Sequence, residues 1–313
     1  MTSYILKRLI STIPVMALIA IFAFAVLRLA PGDPAIMIAG DNATPDMIAA
    51  IRSDLGLDQP FIPQFVTWVG GLLRGDLGLS MYTRQPVAEM IFQRLAPTFS
   101  LMLLTLIISV LFGIVLGVIS AWRQNKLTDQ AIMVVMVLLF SVPNFVVAYV
   151  LTWFISLKLG WLPVQGYTPL SDGFWASVRS LTLPALALSS VYIALIGRIT
   201  RSSILENLRL DFVRTARAKG VSEGVVLFRH TLKNAAVPIV TIIGSGVGVL
   251  MSGSVVTENV FAIPGLGRLT VDSVLRHDYP VIQGVILLFG ALYVLVNLAV
   301  DIAYTFFDPR IKY

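Results

Sequence analysis

Apolar residues in this chain come in six long runs, about 9–29, 99–122, 131–157, 183–199, 237–256 and 281–306. The segments between them are polar and marked by glycine and proline. A bilayer crossing takes about 20 such residues, with a usable range of about 17–25. The pattern therefore predicts an all-α membrane protein with about six transmembrane helices. The first run follows Lys7 and Arg8, as a signal peptide would. It is longer than the usual apolar core of such a peptide, and no small-x-small cleavage pattern precedes Pro31-Gly32-Asp33-Pro34, so a retained helix is expected.

Composition supports lipid as the solvent. Hydrophobic residues make up 57% of the 313 and charged residues 13%, with mean hydropathy +0.86. Soluble domains carry roughly a quarter charged residues. The absence of cysteine excludes a disulfide scaffold, a thiolate zinc site and a thiol nucleophile. His230 and His277 stand far apart in sequence, too sparse a set for a histidine metal cage. A net charge of +6 does not call for nucleic acid, because membrane proteins concentrate Lys and Arg on cytoplasmic loops.

That same bias orients the chain. With the N-terminus inside, the inner segments hold Lys7, Arg8, Arg123, Lys126, eight basic residues from Arg198 to Lys233, and Arg310 and Lys312. The two short outer loops hold only Lys158, Arg179, Arg268 and Arg276, and acidic residues lie mostly outside. Both termini are thus expected in the cytoplasm. The chain reads as one transmembrane domain over 1–313. Residues 31–97 form an outer loop long enough to need short helices of its own, and 198–236 form the one sizeable cytoplasmic loop.

Within that loop, Asp211 to Gly220 predicts a short basic helix. Arg214 and Arg217, three apart, share a face, and Gly220 supplies the stop of a C′ glycine. Ser222 is the expected N-cap of a second helix with Glu223 in its first turn, and Val225, Phe228 and Leu232 recur at helical spacing. A small-residue helix with a glycine corner suits insertion into a partner's groove. The plain alternative is a basic loop resting on anionic lipid.

Several intramembrane positions stand out. Gly113-x-x-x-Gly117 and Gly244-x-x-x-Gly248 permit close helix approach, and packing is the favoured role. Pro143, between Ser141 and Asn144, removes a helical hydrogen bond inside the third run. Both a packed kink and a break lining the path fit it. Ser245, Ser252 and Ser254 make the fifth run the more polar candidate wall. The candidates for lining a polar path through the membrane are Ser141, Pro143, Asn144, Ser245 and Ser252. Asp301 is an intramembrane acid expected to pair with a cytoplasmic base. Arg28 is expected to snorkel. His277-Asp278 reads as a solvated turn, since no third orienting group is evident.

The segment RTARAKGVSEGVVLFRHTLKNAAVP at 214–238 resembles the cytoplasmic loop of peptide-type ABC import permeases, the dipeptide, oligopeptide, nickel and glutathione importers. The likeness extends along the chain through YILKRLISTIP, LAPGDPA, LGLDQP, GDLGLS, VFAIPGLGRLTVDSVLRHDYPVIQ and FDPRIKY. The long first outer loop resembles the first-subunit type, and IAGDNA with GLSMYTRQPV resembles glutathione permeases. Where the broad importer pattern has Glu-Ala-Ala, this chain has Arg214-Thr215-Ala216 with Gly220 in place, the peptide-subfamily form.

The resemblance implies a type I importer permease fold in a bacterial or archaeal plasma membrane. It implies that Arg214, Thr215, Ala216, Arg217, Ala218, Lys219 and Gly220 couple the chain to a cytoplasmic ATPase. The implied partners are a second permease, two ATPase subunits and a periplasmic or lipid-anchored substrate-binding protein. ATP and magnesium would bind those ATPases, with no cofactor on this chain, which carries no G-x-x-x-x-G-K-[ST] phosphate loop. The expected function is import of peptides or related small solutes, without an enzymatic site of its own. A secondary transporter or channel is the alternative. It would show embedded ionisable residues or internal symmetry, and no clear repeat is visible.

Overall fold

The computed structural model describes residues 2–29, 35–36, 44–54, 56 and 58–307. Pro31-Gly32-Asp33-Pro34, the IAGDNA stretch, Arg310 and Lys312 lie outside the described residues, as do the side chains of Lys7, Arg8 and Arg28. The architecture is helical: α1 (Thr2–Leu29), α2 (Pro45–Asp54), α3 (Phe61–Leu73), α4 (Val87–Trp122), α5 (Leu127–Ser141), α6 (Asn144–Leu151), α7 (Phe174–Asn207), α8 (Asp211–Ala218), α9 (Ala236–Val260), α10 (Leu266–Leu275) and α11 (Tyr279–Phe307).

Four helices among the described residues, α4, α7, α9 and α11, are long and apolar enough to cross a bilayer. The third apolar run is not one straight helix. It divides into α5 and an α6 segment that continues as a π-helical turn to Lys158, and the two halves meet at 105°. Pro143 cannot donate to the carbonyl four residues back, and Val142 is already extended at ψ 125, so the helix ends there and restarts at Asn144. Helix α1 runs 28 residues, about 42 Å at the α-helical rise.

Two elements overrun their apolar runs. Helix α4 has 36 residues and begins at Val87, where the sequence reading had loop. Helix α7 has 34 and begins at Phe174. At about 1.5 Å per residue each exceeds the membrane thickness by several turns. Polar residues in those extra turns hide them from a hydropathy scan. The long outer loop does contain helices, α2 and α3. Phe61, Phe65 and Trp68 of α3 gather around Phe24 of α1 at centroid distances of 5.2–5.3 Å.

The core is an α4–α7 pair flanked by α9. Leu101, Met102, Leu181, Leu183, Leu188, Tyr192, Ile196, Leu250 and Met251 are buried together in it. Both glycine motifs serve packing. A Cβ at Gly113 would lie 2.8 Å from Ile196, and one at Gly117 would lie 2.6 Å from the Gly197 carbonyl. Gly244 lies against Val300 and Gly248 against Tyr293, so the second motif seats α9 on α11. Tyr192 of α7 donates its hydroxyl to the Gly246 carbonyl.

Orientation has a direct test, because the chain holds no cysteine. Thr44 and Ser222 are both exposed. Thr44→Cys is expected to react with an impermeant maleimide from outside, and Ser222→Cys only from the cytoplasmic face. Labelling of both from one side of sealed vesicles would reverse the orientation.

Candidate functional site

The cytoplasmic loop hangs from α7 by the turn Leu208–Leu210 and carries α8. Arg214, Thr215, Arg217, Ala218, Lys219 and Gly220 are exposed. Ala216 is not. It packs with Val213 and Val226, and with Leu208 and Val221 at their edge, inside the loop itself. Ala216 therefore joins the two limbs of the loop from within, where the sequence reading placed it against a partner. Gly220 has φ +76, and a Cβ there would meet nothing within 4 Å, so backbone conformation alone selects glycine. The Gly220 amide donates to the Arg217 carbonyl at 2.9 Å and the Val221 amide to the Ala216 carbonyl at 3.2 Å. Those two bonds, with Val221 on Ala216, are the Schellman end the sequence implied.

Arg217 turns toward the second limb. Its Nε and Nη2 donate to both Glu223 carboxylate oxygens at 2.8 and 3.0 Å. The guanidinium holds the Glu223 carboxyl below the usual carboxylate range. Arg217 thus braces the corner, while Arg209, Arg214, Lys219, Arg229 and Lys233 present charge to the solvent. Exposed Leu210, Phe212, Val225 and Phe228 lie among them.

The second limb departs from the expected helix. Residues 223–234 form a short α turn, a π-helical turn Val226–Thr231 and another α turn. Ser222 has the extended backbone of an N-cap but makes no side-chain capping bond. The extra residue per turn rotates the buried face onto Val226, Leu227 and Thr231, and leaves Val225 and Phe228 outside. A 3.6-residue period cannot anticipate such a turn.

The candidate path residues lie on two elements, the break between α5 and α6 and the helix α9. Ser141 and Pro143 are exposed at the break between α5 and α6. Asn144 is half-buried, and its side-chain nitrogen would lie 3.8 Å from a Cβ on Gly253 of α9. On α9, Thr241, Ser245, Val249, Ser252, Val256 and Asn259 are all exposed, at spacings of three and four that keep one face. Ser245 and Ser252 thus share a stripe, whereas Ser254 is buried and donates to the Met251 carbonyl. Ser252 also lines a cavity of about 400 Å³ with Thr270, Phe289 and Tyr293.

Sequence reasoning missed three buried acids. Asp129 accepts from Ser120 at 2.5 Å, from the Asn125 amide at 3.0 Å, and from Arg201 Nε and Nη2 at 2.8 Å each. It ties the α4–α5 turn to the inner end of α7. Asp278 is not part of a solvated turn. It is buried, accepts from Ser80 Oγ at 2.5 Å and from the Met81 amide at 3.0 Å, and pins the corner before α11 to the hairpin before α4. The third is Glu258, at the outer end of α9. One signal existed for it: an acid isolated within a long uncharged stretch. Asp301 is half-buried in a groove between α1 and α11, beside Ser11, Thr12, Tyr293 and Asn297.

Residues 113–313 match the model of a family described as "Binding-protein-dependent transport system inner membrane component", and residues 1–102 match that family's N-terminal model. The chain is 51% identical over 310 residues, 99% of both chains, to a probable peptide ABC transporter permease of Sinorhizobium fredii. It is 42% identical to a glutathione transport system permease of Escherichia coli, and 39% identical to a dipeptide transport system permease of Alkalihalophilus pseudofirmus, each over the full length of both chains. Its fold is similar to a chain of the MetNI methionine ABC transporter, with TM-score 0.53 and 17% identity, covering 67% of this chain and 94% of that one. A helical membrane chain with this basic, glycine-cornered cytoplasmic loop, matched along its whole length, belongs to the binding-protein-dependent transport system inner membrane components.

Proposed function

We propose that this chain is one of two permease subunits in an ATP-driven importer of peptides or related small solutes such as dipeptides or glutathione. The observation that carries the reading is the surface of the cytoplasmic loop, which exposes basic Arg214 and Lys219 together with apolar Leu210, Phe212 and Phe228. Apolar side chains presented to the cytoplasm together with charge fit a protein partner better than a lipid headgroup. That partner is a cytoplasmic ATPase, and 214–220 is the segment that docks on it. Permeases named for peptides, dipeptides and glutathione among the relatives support the cargo class. A substrate-binding protein delivers cargo at the outer face, and ATP and magnesium act on the ATPases.

The path runs along the exposed face of α9, through Ser245 and Ser252, past the break at Ser141, Pro143 and Asn144. Polar side chains and unpaired helix-end carbonyls at such a break are tolerated where they line a water-filled cavity. A peptide, rich in amide groups, finds donors and acceptors there.

One such loop serves one ATPase, so a second permease is needed for a pair. Affinity purification through a tag on this chain is expected to recover one copy of it, one of a different permease and two ATPases. In vesicles, that complex with its binding protein should import peptide only when ATP is hydrolysed. A transport-active particle with this chain as its sole membrane subunit, in one copy, would overturn the reading.

A further inference from the structure

Glu258 is fully buried at the last turn of α9. Its Oε1 accepts from Thr98 Oγ1 of α4 at 2.6 Å. Its Oε2 accepts from the Arg268 amide in the first turn of α10 at 3.0 Å. Thr98 Oγ1 in turn accepts from the Leu266 amide at 2.8 Å. The Glu258 carbonyl accepts from the Ile263 amide at 2.9 Å. One carboxylate and one hydroxyl therefore join the end of α9, the start of α10 and the distant helix α4. The loop is shaped around them: a Cβ at Gly265 would overlap the Glu258 carboxylate, and one at Gly267 would come within 2.5 Å of the Val255 Cα. A buried carboxylate is retained only where its acceptors are filled, and this one takes donors from both α4 and α10.

The other end of α9 is joined to the cytoplasmic loop. The limb 223–234 runs into α9 through Ala235 alone, and Leu227, Ala235 and Ile239 are buried together with Ile204 of α7. Val226 of that limb is buried against Val213 and Ala216 of α8. An unbroken series of packed groups thus runs from α8 through α9 to α10.

We propose that Glu258 is a positioning residue for transport: it makes α10, at the outer mouth, follow α9, so that displacement of the cytoplasmic loop reaches the outer face. The proposal rests on the importer reading, and the test separates the two. Reconstituted complexes carry Glu258→Gln, Thr98→Val or Thr98→Ser. Glutamine keeps the size and one acceptor but turns a donor toward the Arg268 amide or the Thr98 hydroxyl. Valine removes the hydroxyl, and serine restores it. Three quantities are read: ATPase activity without binding protein, its stimulation by the loaded binding protein, and impermeant-maleimide labelling of Ser252→Cys from outside in vanadate-trapped vesicles.

Glu258→Gln and Thr98→Val are expected to keep the unstimulated rate and to lose stimulation and trapped-state labelling about ten-fold, within the usual range of coupling between sites. Thr98→Ser should behave as wild type, and the Gln–Val double variant should lose no more than either single one. A merely structural role would lower all three readings together and sinks the proposal. So does wild-type stimulation in both single variants. If Glu258→Gln does not assemble, the Thr98 pair decides alone. A wild-type complex that imports nothing on ATP would instead remove the importer reading itself.

Discussion

Replacing Gly220 with valine is expected to leave the chain inserted and paired but to abolish substrate-stimulated ATP hydrolysis. The residue has φ +76, and no atom crowds the place where a Cβ would go, so the whole effect comes from the backbone. A β-branched residue in that region costs about 1–3 kcal/mol. The corner should then open, misalign the Arg217–Glu223 brace and leave α8 at no fixed angle to the proposed ATPase. Gly220→Asn should retain most activity, since asparagine tolerates left-handed backbone. Ala216→Glu reaches the same result by another route. It forces a carboxylate between Val213 and Val226, with no donor among the apolar groups packed there. Arg214→Ala should be mild, because its contact with Asp211 at 3.3 Å is exposed and such pairs contribute roughly 0–1 kcal/mol. Stimulated ATPase activity in vesicles and co-purification of the ATPases are the readouts. Wild-type values for both Gly220→Val and Ala216→Glu would return 211–220 to the status of a lipid-facing basic loop.

The second large effect belongs to Asp129. Asp129→Ala strands Arg201, whose side chain is only 23% exposed, and leaves the Asn125 amide and the Ser120 hydroxyl without the acceptor they use here. Breaking one side of a buried pair costs about 3–5 kcal/mol. The purified complex should therefore unfold at a clearly lower temperature. Asp129→Leu with Arg201→Met removes both charges and keeps the volume, so it should recover much of the loss. If Asp129→Ala melts with the wild type, the pair carries no stability. If the double variant melts below Asp129→Ala, charge burial is not the cause.

Much of this architecture was readable before any coordinates. Run length anticipates the crossings of α4, α7, α9 and α11, though not the 105° break in the third run, and the corner at Gly220 follows from glycine's tolerance of positive φ. Both glycine motifs pack as their spacing implies, because four residues return a helix to the same face. What escaped the sequence has a common physical origin. Thr98 with Glu258, Ser80 with Asp278 and Asp129 with Arg201 are contacts between residues distant along the chain, and no local period records them. The outer turns of α4 and the inner turns of α7 leave the membrane, so their polar residues resembled loop. The π-helical turn at 226–231 shifted a face that a regular helix would have presented. Ala216 was expected to be small toward a partner, and it is instead small toward its own loop.

Helices α4 and α7 touch through Gly113, Gly117 and Gly197, with backbone against backbone. At such a seam neither helix can ratchet past the other, because every axial step would drive a larger side chain into a carbonyl. Such a seam favours movement of the pair as one unit. If the chain works as the importer proposed above, its rearrangement during transport would then fall where neighbours are held by side chains, whose rotamers can exchange. Fewer parts move than there are helices, and the glycine seam marks the part that stays still relative to itself.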